Sequence, residues 1–144
     1  MREFGLVCLF GMTSFDDIRT KEVRLIEIIA FGFIGVLINL IEPMYSLSSI
    51  IGGILLGAII YVYSIVSNEK IGKGDALIII VASLYLGYMN TLILLWISSV
   101  IALIAGVIII KRRSVTGSYE IPFAPFLLVG FLAMYSINMI RGVL

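Results

Sequence analysis

Apolar residues in this chain come in long unbroken runs, set apart by short clusters of charged and turn-forming residues. Cut at those clusters, the sequence yields six segments: Phe4 to Phe15, Leu25 to Ile41, Leu47 to Val66, Ala76 to Met89, Leu92 to Ile110 and Phe123 to Ile140. Each run predicts a helix that is a candidate membrane span. The breaks carry suitable punctuation: Pro43 after the second segment, Asn68 with Gly72 and Gly74 before the fourth, Asn90 after it, and Gly117 with Pro122 before the sixth. No connection is long enough for a second domain. The pattern predicts an all-α, polytopic membrane protein of about six transmembrane helices, with residues 1–144 forming one domain.

Alternate connections differ in basic residues, which orients the spans. Arg19, Lys21 and Arg24 lie in the first connection, Lys70 and Lys73 in the third, and Lys111, Arg112 and Arg113 in the fifth. Together they are eight of the ten Lys and Arg residues. The positive-inside rule makes these three connections cytoplasmic and puts both termini outside. Asp17 at the exit of the first segment and Asp75 at the entry of the fourth then share the cytoplasmic side. These two segments are also the shortest, at about 12 and 14 residues, or roughly 18 to 21 Å of helix against about 30 Å of hydrocarbon. Either the bilayer thins around them, or the helices run on through their charged flanks and draw both acids below the boundary.

Composition supports the membrane assignment and narrows the chemistry. Hydrophobic residues make up 61% of the chain and charged residues 13%. Mean hydropathy is +1.18. A formal net charge of +1 gives no bulk attraction for nucleic acid. The absence of histidine removes Ser-His and Cys-His nucleophile pairs and most zinc or iron sites. The lone Cys8 has no partner for an internal disulfide and reads as a small apolar filler. The first segment is read as retained: Glu3 offsets Arg2, and no small-residue cleavage site follows.

Much of the rest reads as scaffold. Gly53 and Gly57 form a GxxxG in the third segment that lets another helix approach closely, and Gly32, Ala102, Ala105 and Gly106 suit the same purpose. Tyr61, Tyr63, Tyr85 and Tyr88 lie near segment ends and read as interfacial anchors. Glu27 reads as a solvated or snorkelling end residue, and Asp16 as solvated.

Chemistry concentrates at Ile71-Gly-Lys-Gly-Asp-Ala-Leu-Ile78, where Asp75 stands behind two glycines at the mouth of an apolar run. An ionisable group at the edge of hydrocarbon is costly, and function is its default explanation. If Asp17 faces it, the pair would share a proton. One carboxyl then acts as general base on water while the other donates to a peptide carbonyl oxygen, with a titration that belongs to the pair. That chemistry needs no metal and no cofactor. Gly72 and Gly74 would permit the close backbone approach an unwound peptide requires.

Three stretches give the chain a family likeness. Gly72-Lys73-Gly74-Asp75, Asp17-Ile-Arg-Thr-Lys-Glu-Val23 and Ile121-Pro122-Phe-Ala-Pro125-Phe126 together resemble the type IV prepilin peptidases, including the archaeal preflagellin peptidases. These are GxGD-type membrane aspartyl proteases. The likeness takes Asp75 and Asp17 as the two catalytic aspartates, and Pro122 with Pro125 as the proline-containing opening of the last helix. Asp17 is favoured over Asp16 because Val23, six residues on, matches the family's apolar position. The sequence departs from the pattern at Arg24, where the family usually has Pro, and at Leu77, where it often has Lys. Lys73 is either a solvated loop lysine or a partial replacement for that charge.

What the resemblance implies is an aspartyl endopeptidase of the cytoplasmic membrane, active at its cytoplasmic face. It would cut the short basic leader from type IV pilin-like or archaellin-like precursors, with lipid as its other partner. Larger members carry an amino-terminal insertion with paired cysteines associated with methyl transfer. This chain resembles the minimal form, so no methyltransferase activity is expected. Two rivals stand beside this reading. One is a Ser14–Lys21 dyad of signal-peptidase type. The other is a small carrier or assembly subunit in which Asp17 and Asp75 bind a proton or cation.

Overall fold

The structure, a computed structural model, describes residues 2–20, 23–67, 72–113 and 122–140. These form five helices: α1 (Arg2–Thr20), α2 (Leu25–Ile41), α3 (Leu47–Val66), α4 (Lys73–Arg113) and α5 (Ala124–Ile140). Polar and turn residues end them where backbone physics asks. Ser46 caps α3 by accepting a hydrogen bond from the Ser49 N–H at 3.3 Å, and α2 stops just before Pro43.

The sequence reading divides residues 73–113 in two at Asn90, whereas α4 is one helical element broken at Gly87. There the backbone takes φ 68° and ψ 177°, a conformation that favours glycine. The two arms fold back on each other. Ser98 touches Gly130, which is about 9 Å along α5 from Ala124, the residue bonded to Asp17, and the contact of Val23 with Gly74 puts Asp75 at that same end. A straight α4 would carry Ser98 about 35 Å from Asp75, so the chain must reverse at Gly87. Asn90, read as the breaker, instead spans the bend: its amide donates to the Leu86 carbonyl and to the Tyr45 hydroxyl.

Small residues set the helix spacing. A methyl group at Gly53 would lie 2.5 Å from Ser83 Cβ, and one at Gly57 would collide with Ile80, so the GxxxG face of α3 is where the first arm of α4 docks. On the other side of that arm, the Asn39 amide of α2 donates to the Leu84 carbonyl at 2.6 Å. Tyr85 corrects the sequence reading. It is no interfacial anchor but is 2% exposed, seated against Gly35 with its hydroxyl donating to the Phe31 carbonyl at 2.6 Å. Among apolar helices a buried phenol needs such an acceptor.

The interior is formed by Leu6, Leu9, Phe10, Ile78, Tyr85, Leu94, Leu127 and Phe131, with the Phe10 and Phe131 rings 5.6 Å apart. Large apolar side chains also cover the outside, Leu40 and Trp96 among them. Helices α3 and α4 are long and apolar enough to cross a membrane, while Leu25–Ile41 and Ala124–Ile137 are shorter apolar helices. An apolar exterior on that scale suits lipid rather than water.

Candidate active site

The first helix runs through its acids rather than stopping before them. At 19 residues, α1 is about 28 Å long and continues as helix through Asp16, Asp17 and Arg19. Hydroxyls along it bond within the helix: Thr13 to the Leu9 carbonyl at 2.8 Å and Thr20 to the Asp16 carbonyl at 2.9 Å. Asp17 ends up buried, three residues before the last of the helix.

Its carboxyl faces the start of α5. Ala124, the first residue of that helix, donates its N–H to Asp17 Oδ2 at 2.9 Å. The local sequence explains why this donor is available. A helix start leaves N–H groups without intrahelical acceptors. Here the Phe123 carbonyl takes the N–H groups of Phe126 and Leu127, and Pro125 has none to offer. Ala124 therefore presents its N–H, with the positive end of the helix dipole behind it, to an acid from another helix. Pro122 stands half-buried immediately before this turn.

Asp75 occupies the first turn of α4, half-buried. The glycines before it make room for two different groups. A methyl at Gly72 would lie 3.0 Å from Asp75 Oδ2, so that glycine leaves space for the carboxyl itself. A methyl at Gly74 would lie 3.0 Å from Val23 Cγ2, so that glycine receives the apolar residue six places beyond Asp17. The first motif thus docks on the second through Val23 and Gly74. Lys73 is exposed on the same turn.

Asp16 differs from its expected state. It is 6% exposed, not solvated, and the Arg24 Nε lies 3.1 Å from its Oδ2. Arg24 stands where the resembled family has proline, and the pairing gives this departure a purpose: it neutralises an acid turned toward the entrance of α2. Glu27 is half-buried in the first turn of α2, with its Oε2 shielded from solvent. Asp16 and Asp17 face α2 and α5 respectively, as adjacent positions about 100° apart on a helix should. The sequence reading missed Arg24–Asp16 and the Ala124 donor. The second was signalled by Pro125, a residue that suits a helix's first turn.

Ser14 is buried, while Lys21 lies outside the described residues. Among the described residues no three acidic or thiol side chains converge as metal ligands.

The model of the type IV leader peptidase family matches residues 4–107, well over half of the chain. The chain belongs to the type IV leader peptidase family. The match spans both Asp17 and Asp75 and ends before Pro122, so the tie between α5 and the family site rests on the Ala124 hydrogen bond. Membership makes a leader-peptidase-like protease the general activity, in a family of aspartic type, and favours peptide hydrolysis over ion carriage. No curated protein and no solved structure matches the chain.

Proposed function

We propose that this protein is a membrane-embedded aspartyl endopeptidase that removes the leader of type IV pilin-like or archaellin-like precursors at the cytoplasmic face, with Asp17 and Asp75 as its catalytic pair. The observation that carries the reading is the docking of the two motifs: Val23, six residues beyond Asp17, packs against Gly74, which directly precedes Asp75, inside a span matched by a peptidase family.

In the proposed reaction one carboxylate takes a proton from water as the water oxygen bonds to the scissile carbonyl carbon. The partner carboxyl donates its proton to the carbonyl oxygen. Collapse of the tetrahedral species breaks the C–N bond, and the leaving nitrogen recovers a proton from the pair. Ala124 N–H, Gly72 and Gly74 contribute by fixing where the two carboxyl groups sit. The Gly-rich entry to α4 is also where an extended substrate strand could approach closely.

The two arms of α4 and the other four helices would give six crossings with both termini outside, as the distribution of Lys and Arg favours. The precursor's basic leader would remain cytoplasmic. Glu22, Glu69 and Glu120, acids suited to meet it, lie outside the described residues. No methyl transfer is proposed, because the paired cysteines associated with it have no counterpart in a sequence whose one cysteine is Cys8.

The test is to incubate the detergent-solubilised protein with a pilin-type precursor and sequence the new amino terminus. A single cut at the junction of leader and apolar helix is expected. A folded protein that leaves the precursor intact, yet conducts protons or cations in vesicles, would replace the peptidase with a carrier.

A further inference from the structure

One face of α1 meets α5 in a regular register. Phe10 packs on Phe131, and seven residues later Asp17 takes the N–H of Ala124, seven residues earlier, so the two helices run in opposite directions. Ser14 stands between these contacts, four residues after Phe10 and three before Asp17, which sets it against the buried Leu127. Ser14 is 5% exposed, and its Oγ is buried with no hydrogen-bond partner among the described residues.

A buried hydroxyl without an acceptor costs free energy and calls for an explanation. The usual acceptor for a serine inside a helix is the carbonyl one turn back. For Ser14 that is the Phe10 carbonyl, which receives a helical N–H and lies 3.4 Å from the Thr13 hydroxyl as well. Asp16 points about 160° away around the helix, whereas Asp17 is only about 60° away and one turn on. Positions three apart have Cβ atoms about 5–6 Å from each other, so a side-chain rotation brings the Ser14 hydroxyl to the Asp17 carboxyl.

The other acid has no such neighbour on its helix. Around Asp75, residues 71–79 read Ile-Gly-Lys-Gly-Asp-Ala-Leu-Ile-Ile, without a hydroxyl. Helix dipoles do not separate the two acids: α5 starts beside Asp17, α4 starts at Asp75, and Arg19 in the last turn of α1 offsets that helix's own negative end. The other charged groups that α1, α2 and α4 bring to this end among the described residues are Asp16 with its partner Arg24, Glu27 and Lys73, while α5 brings none.

We propose that Ser14 is a positioning residue whose hydroxyl donates to the ionised Asp17 carboxyl, making Asp17 the base that takes the proton from water and Asp75 the acid that protonates the peptide carbonyl oxygen. Ser14 itself touches no substrate. The assignment of roles rests on the peptidase reading, whereas the hydrogen bond does not.

Infrared titration of the full chain in detergent tests the bond, with the carboxyl band of Asp17 identified by its loss in Asp17→Asn. In the Asp75→Asn background Asp17 titrates without its partner. There Ser14→Ala removes a donor to the charged form and is expected to raise the midpoint of the Asp17 band by about one pH unit, a tenfold change in its dissociation constant. Ser14→Cys, close in size and a weaker donor, is expected to shift it less in the same direction, and it serves if the alanine variant does not fold. Ser98→Ala makes the same change at another buried hydroxyl without a partner, placed against Gly130, and is expected to leave the midpoint unmoved. A midpoint that Ser14→Ala and Ser14→Cys leave in place, or that Ser98→Ala moves equally, would overturn the proposal. With Asp75 present, the acid limb of kcat/KM should move to higher pH in Ser14→Ala and not in Ser98→Ala, and an unmoved limb would overturn the assignment of the base. Wild type that cuts no precursor would sink the peptidase reading and the assignment of roles with it, while the titration still decides the bond.

Discussion

The main-chain N–H of Ala124 donates to Asp17 Oδ2 at 2.9 Å, joining residues 107 positions apart. This bond makes the opening of the last helix part of the seat of the first acid. A proline two residues before Ala124 and another directly after it shape a turn with one N–H directed at the carboxyl. Asp17 is held by a backbone group, so the hold depends on where α5 begins rather than on any side chain.

Removing that donor should impair activity more than folding. Ala124→Pro deletes the N–H at a helix's first position, where proline is tolerated. A hydrogen bond to a carboxylate contributes about 1.5–3 kcal/mol, so kcat/KM is expected to fall about 10- to 100-fold. Circular dichroism of the variant in detergent should remain close to wild type.

The two glycines before Asp75 should be intolerant of alanine for different reasons. Alanine gains up to about 1 kcal/mol over glycine in a helix, so Gly74→Ala should not unfold the first turn of α4, and Gly72 lies just before that turn. Gly72→Ala would press a methyl against Asp75 Oδ2, and Gly74→Ala would press one against Val23. Cleavage should drop in both. Val23→Ala should partly restore Gly74→Ala and leave Gly72→Ala unrestored, a pattern readable from initial rates of the four variants.

Asp16 and Arg24 should matter for stability and little for chemistry. Asp16→Asn is expected to retain cleavage. Arg24→Pro leaves Asp16 buried without its cation and should lower thermal stability by about 1 kcal/mol, a modest figure because the arginine side chain is largely exposed. Asp16→Asn combined with Arg24→Pro should be more stable than Arg24→Pro alone, as melting curves in detergent would show.

Gly87→Ala should be among the most damaging small substitutions outside the acid pair. The residue has φ 68°, and the added methyl would lie 2.8 Å from Ser49 Oγ and 2.9 Å from the Tyr45 ring. Backbone strain of about 1–3 kcal/mol adds to that overlap. A clear fall in melting temperature is expected.

Sequence alone carried the helical class and the GxxxG contact, because long apolar runs and small residues at i and i+4 have few other uses. It also brought Asp17 and Asp75 to one end by parity of the segments, which needed no knowledge of packing. The bend was misplaced at Asn90, since the pattern does not distinguish a breaker from a residue whose amide spans the break. Tyr85 was misread because a tyrosine near a segment end has the same local sequence whether its hydroxyl meets water or the Phe31 carbonyl. Asp16 was misread because its partner Arg24 lies across a turn. The Ala124 donor was illegible in the strict sense: a backbone N–H has no letter of its own, and only Pro125 hinted at it.

The central claim is that Asp17 and Asp75 act as one unit. The most direct measurement is kcat/KM on one pilin-type precursor for wild type, Asp17→Asn, Asp75→Asn and the double variant, each checked for helical content. Groups that work together are non-additive, so each single change is expected to cost about 10³-fold or more, and the double change no more than either single one. A single variant that still cuts at a rate near wild type, or a double variant whose loss is the product of the two single losses, would contradict the account.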